Sequence, residues 1–72
     1  MNNLNMAKIQ LNGDPYEING RTNLNELLNK LKIQKNKVAI EVNGEIVERE
    51  KYTNLILNKD DKVEIVHFIG GG

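Results

Sequence analysis

From Met6 onward, apolar and polar residues alternate. Ala7, Ile9 and Leu11 are separated by Lys8 and Gln10, the period-two pattern of a half-buried strand. Asn12-Gly13-Asp14 is a cluster of turn residues, and Pro15 suits the start of the strand that follows. Tyr16 and Ile18 then alternate with Glu17 and Asn19, so the two runs predict a hairpin. Gly20 breaks the alternation, and the period changes. Leu24, Leu27, Leu28 and Leu31 recur at i, i+3, i+4 and i+7 and line one face of a helix. Thr22 or Asn23 can cap its start, and Asn23 with Glu26 has the spacing of a capping box. Lys30 and Lys32 suit the negative pole of its dipole. Asn36 tolerates the left-handed conformation and predicts its stop.

A second hairpin comes next. Val38, Ile40 and Val42 alternate, then Asn43-Gly44 signals a two-residue type I′ turn. Across such a turn Val42 faces Glu45 and Ile40 faces Val47. Ile40, Val42 and Val47 then share the inner face, and Glu41 and Ile46 point outward. The segment 49–58 has no clear period. It predicts a loop with one short helical turn, plugged into the core by Leu55 and Leu57. Asp60-Asp61 marks a turn, and Val63 to Phe68 is the last and most apolar strand. The helix follows the first hairpin and must cover one face of the sheet. The last strand is expected to be central, because it is the most apolar. The result is an α+β chain with a mixed sheet of about five strands and one helix across one face, the β-grasp arrangement. Residues 1–5 read as a flexible leader, 6–69 as the domain and 70–72 as a flexible glycine tail.

Composition narrows the chemistry. The chain has 72 residues, no cysteine, and ten basic against ten acidic side chains. Nucleic-acid binders draw much of their affinity from phosphate contacts, so a balanced charge argues against that class. No apolar run approaches the roughly 20 residues of a membrane span. Residues 1–5 lack the charged-then-apolar pattern of a signal peptide, so the expected compartment is the cytoplasm. Without Cys or Ser, acyl-enzyme chemistry would fall to Thr22 or Thr53, neither with an evident base. His67 is the only histidine, and strand parity sets it on the helix side as a boundary residue. One His without Cys makes a zinc site improbable, and no metal site is expected. Asp60-Asp61 reads as turn chemistry. Lys30, Lys32, Lys35 and Lys37 read as a solvated helix end, or as a docking surface for an acidic partner.

Two features remain. Glu64, Val66 and Phe68 fall on the face that no helix covers. Phe68, the only Phe, is then either an incidental surface hydrophobe or an anchor for a partner. Beyond it stand Ile69 and Gly70-Gly71-Gly72. The glycines are either an inert end or a slim tail. Residues 69–72 fully extended would reach about 13 Å. Without side chains they can thread a narrow cleft and approach a nucleotide closely. What they deliver is a carboxylate, a poor electrophile until it is joined to AMP. Sulfur can then displace AMP and leave a thiocarboxylate.

With these motifs the chain resembles the thiamine-biosynthesis sulfur carrier family, a ubiquitin-like β-grasp group. The resemblance runs from Met6 to Gly72. It is carried by 22–28 (TNLNELL), 42–47 (VNGEIV), Arg49-Glu50 and, most specifically, 63–72 (VEIVHFIGGG). Glu48 and Asp60 depart from it, standing where the family often has Pro and Gly; both lie in loops. The resemblance implies that Gly72 bears first AMP and then sulfur, with Gly70 and Gly71 as the slim tail. It implies that Val66, Phe68 and Ile69 bind partners. Those partners would be a ubiquitin-activating-type adenylyltransferase that uses ATP, and thiazole synthase as recipient. Sulfur would come from a cysteine desulfurase. The chain itself would be a carrier and not an enzyme, with no resident cofactor, and a monomer when free. The molybdopterin synthase small subunit, another carrier with a glycine end, is the nearest rival. A β-grasp binding module with an inert tail is the rival from a different class.

Overall fold

Five strands form one mixed sheet, and its order is not the order of the chain. The computed structural model describes residues 6–68. In chain order the elements are β1 (Met6–Leu11), β2 (Asp14–Asn19), α1 (Leu24–Leu31), β3 (Val38–Val42), β4 (Glu45–Ile46) and β5 (Lys62–His67). Short 3-10 turns span Lys35–Lys37 and Arg49–Lys51. The sheet order is β2-β1-β5-β3-β4, so the last strand is central. β5 runs parallel to β1 and antiparallel to β3, and both hairpins are antiparallel. Pro15 sits on the edge strand β2, where its missing N–H breaks no ladder on the outer side. The opposite edge, β4, is only two residues long, which leaves little template for stray pairing.

One face of the sheet and one face of the helix make the core. Ile9, Ile18, Val38, Ile40, Val63 and Ile65 meet Leu24, Leu27 and Leu28, and all are buried. Leu31 and Val42 pack against this cluster from its margin. Glu41 pairs with Ile46 and Val42 with Glu45, as the Asn43-Gly44 turn predicts. Both Asn-Gly turns take positive φ: 49° and 87° at Asn12 and Gly13, 54° and 86° at Asn43 and Gly44. Asp60 lies at φ 72°, a left-handed conformation that Asp tolerates.

The start of α1 satisfies every early N–H. Asn23 is the cap: its Oδ1 accepts from the Glu26 N–H (2.8 Å), and the Glu26 carboxylate accepts from the Asn23 N–H (3.0 Å). Thr22 takes another task, donating its hydroxyl to Asn19 O (2.6 Å). The Leu24 and Asn25 N–H groups donate to Leu55 O and Tyr52 O, both at 3.2 Å. The irregular segment 49–58 thus plugs the helix end by backbone as well as by side chain.

Three expectations need correction. The helix stops at Leu31 and not near Asn36. Lys32 takes the left-handed conformation, and the N–H groups of Lys32 and Ile33 return to Asn29 O (3.1 Å) and Leu28 O (2.9 Å). That is a Schellman closure, with Ile33 packed on the core as its hydrophobic contact. Asn36 falls in the 3-10 turn instead. Leu57 is buried, but Leu55 is only half-buried, and the main plug is Tyr52 at 2% exposure. Burial pushes the Tyr52 phenol above its ordinary range, with the Arg49 charge pulling the other way. Lastly, His67 is exposed although parity sets it with Val63 and Ile65. β5 runs past the end of β1, so His67 has a neighbouring strand only on the β3 side, where the buried Val38 stands opposite it.

Candidate functional site: the end of the last strand

The described chain ends on β5, so the site is built from how that strand is held. Its side toward β3 is fixed by the antiparallel register, in which Ile40 faces Ile65 and Val38 faces His67. The Asn43 N–H donates to Lys62 O (2.7 Å), and the Phe68 N–H donates to Lys37 O (3.0 Å). Antiparallel ladders alternate bonded and non-bonded pairs. Lys62, Glu64, Val66 and Phe68 therefore turn their main-chain groups toward β3. Val63, Ile65 and His67 turn theirs toward β1.

On the β1 side the contact is short. Only Gln10 with Lys62 and Leu11 with Val63 are in register. The Asn12 N–H donates to Val63 O (2.8 Å), and the chain then turns away into its hairpin. The Asn12 side chain stays behind. Its Oδ1 accepts the Ile65 N–H (2.7 Å) and its Nδ2 donates to Ile65 O (3.2 Å). No sequence rule flagged this contact. An Asn-Gly pair announces a turn, but nothing local says that its side chain meets a residue 53 positions away.

The uncovered face has the predicted character. Val66 and Phe68 are each 57% exposed, with Ala39 opposite Val66. Ile46, on the same face two strands over, is 75% exposed. This end of the sheet therefore offers apolar surface beside the point where the chain leaves it. Lys37 stands at the same exit, since its carbonyl oxygen holds the Phe68 N–H. The assignments to residues 1–5, Ile69, Gly70, Gly71 and Gly72 lie outside the described residues.

The other candidates stay dispersed. Thr53 is exposed, and the Thr22 hydroxyl is engaged with Asn19 O. The Asp61 carboxylate accepts from the Asn58 N–H (2.8 Å) and from Asn43 Nδ2 (3.0 Å), which is turn bracing. Among the described residues no cluster of three His, Cys, Asp or Glu could hold a metal. No described helix is long and apolar enough to cross a membrane.

The model of the ThiS family matches residues 9–72. The sulfur carrier protein ThiS of Bacillus subtilis is 37% identical over 65 residues, covering 89% of this chain and 98% of that protein. A thiazole synthase of Magnetococcus marinus is 46% identical over 65 residues, covering 90% of this chain. The chain spans 20% of that synthase's length. Among solved structures, the crystal structure of the thiamine biosynthesis protein ThiS from Geobacter metallireducens superposes with a TM-score of 0.79. It is 37% identical, and the match covers 90% of this chain and 99% of that one.

Proposed function

This chain is a member of the ThiS family, with the ubiquitin-like β-grasp fold of that group, and from that premise we propose that it carries sulfur on Gly72 for thiamine (thiazole) biosynthesis. The observation that carries this reading is the reach of the family match, which includes Gly70, Gly71 and Gly72. In the first step a Gly72 carboxylate oxygen attacks the α-phosphorus of ATP, and pyrophosphate leaves. Hydrosulfide then attacks the acyl carbon, AMP leaves, and a thiocarboxylate remains; sulfur that arrives as a persulfide first forms an acyl disulfide, which a second thiol cleaves to the thiocarboxylate and a disulfide. The catalytic groups and the ATP belong to a ubiquitin-activating-type adenylyltransferase. This chain is its co-substrate and holds no cofactor of its own. A cysteine desulfurase supplies the sulfur, and thiazole synthase receives it. Supporting that recipient, segments similar to this chain occur within longer thiazole synthases. A cytoplasmic location goes with this reading.

The chain's own contribution is reach and grip. Gly70 and Gly71 supply clearance for the active-site cleft. Val66 and Phe68, with Ile69 beyond them, supply the apolar surface on which the partners close. Intact-mass analysis after incubation with ATP, the adenylyltransferase and a sulfide source tests the chemistry. Replacing one oxygen by sulfur adds about 16 Da, and an unchanged mass overturns the proposal. In the same assay Phe68→Ala should slow conversion while changing stability by less than about 0.5 kcal/mol, because the ring lies outside the core. A thiazole requirement in a deletion strain supports this pathway. A molybdenum-enzyme defect in its place assigns the carrier to molybdopterin.

A further inference from the structure

β5 is pinned on its two sides in unequal ways near its end. Toward β3 the pairing runs through the Phe68 N–H, held by Lys37 O at 3.0 Å. Toward β1 the true ladder stops at Val63, whose carbonyl accepts from the Asn12 N–H at 2.8 Å. Ile65, 7% exposed, would then have an N–H and a C=O with no strand opposite. The Asn12 carboxamide fills that place. It is chemically a peptide group, and it bonds Ile65 as a strand residue would, accepting at 2.7 Å and donating at 3.2 Å. The next rung on that side is His67, for which the described residues include no hydrogen-bonding neighbour. Asn12 is thus the last anchor on that side before the tail.

We infer that Asn12 is a positioning residue for the tail chemistry, holding the end of β5 so that the residues beyond it leave the sheet along one line. A tail that must thread a cleft gains from a fixed point of departure, because a swivelling end spends binding energy on ordering itself. Asn12 touches neither the nucleotide nor the reacting carbon. It acts through Ile65. The inference rests on the carrier reading above.

Asn12→Gly tests it. Gly keeps the left-handed turn and removes the amide, while the backbone freedom it adds to the unfolded chain is shared by the control variant. Asn43→Gly makes the same change at the other hairpin turn and serves as the control. Adenylation is followed by ATP–pyrophosphate exchange with the adenylyltransferase at varied carrier concentration. For Asn12→Gly the expected result is a KM raised about tenfold with kcat within about twofold, and for Asn43→Gly an unchanged KM. Lost folding alone also raises the apparent KM, because unfolded carrier is no substrate, so KM is expressed per folded carrier with the folded fraction read by circular dichroism. Amide exchange at Ile65, whose N–H loses its acceptor, should quicken about tenfold in Asn12→Gly only. An Asn12→Gly protein with wild-type KM overturns the positioning role, and so does an equal rise of KM in Asn43→Gly. Should Asn12→Gly not fold, Asn12→Asp keeps the acceptor for the Ile65 N–H and loses the donor, and the same criteria apply. A wild-type chain that supports no exchange overturns the carrier reading, a result distinct from an active wild type beside an unaffected variant.

Discussion

The Asn12-Gly13 and Asn43-Gly44 turns share a dipeptide and a backbone shape, and both send the Asn side chain to β5. They grip opposite ends of it. Asn43 holds the start: its Oδ1 accepts the Lys62 N–H (2.9 Å) and its Nδ2 donates to Asp61 (3.0 Å). That end has further support, because the Asp61 N–H donates to Asn58 O (3.1 Å) and the Asp60 N–H to Lys8 O (2.8 Å). Asn12 holds the far end with much less beside it. A turn signal in sequence therefore says how the chain reverses. It does not say what the turn is for.

Removing each carboxamide in turn should break the symmetry most. Asn12→Gly leaves both main-chain groups of a buried residue unpaired, at a cost of about 2 kcal/mol. Asn43→Gly exposes the Lys62 N–H, which water can reach, so about 1 kcal/mol is expected. Urea midpoints at equal m-values read the difference. Equal losses would show that water already reaches Ile65.

The next test should restore the symmetry. Gly13 and Gly44 lie at φ 87° and 86°, and a Cβ added to either would meet nothing within 4 Å. Gly13→Ala and Gly44→Ala should therefore each cost about 1 kcal/mol of backbone strain and nothing more. Thermal midpoints that agree between the two variants confirm that the turns differ through their Asn side chains alone.

Much of the fold is legible in the sequence because its signals are local. The leucine spacing, the Asn23–Glu26 box and the alternating strands each fit within one element. The parity of β5 also separates Val66 and Phe68 from the core correctly. What is not legible depends on neighbours far along the chain. Tyr52 lies in a segment without a period, so nothing marks it for the interior. Lys32 adopts a conformation that sequence rules reserve for Gly or Asn, because Ile33 has a core site to fill. Parity gives His67 a face but cannot say that β1 ends before reaching it. The Asn12 contact with Ile65 is of the same kind, visible only once β1 and β5 lie side by side.

The smallest expected effect also bears on the two turns. Tyr52 is buried at the helix start, and neither Asn12 nor Asn43 bonds to it. Its phenol is raised in the folded chain chiefly by desolvation, with Arg49 opposing. Folded protein therefore keeps the proton at a pH where unfolded protein has lost it. The contribution is complete below the unfolded value of about 10 and is lost as pH rises through the higher folded value. Stability should fall above about pH 10 in wild type, Asn12→Gly and Asn43→Gly alike. Independent sites add, so the gap between the two variants should stay constant along that fall. A gap that closes as Tyr52 ionises would mean that the helix plug and one of the turns share their support, and that the two ends of β5 are not held independently.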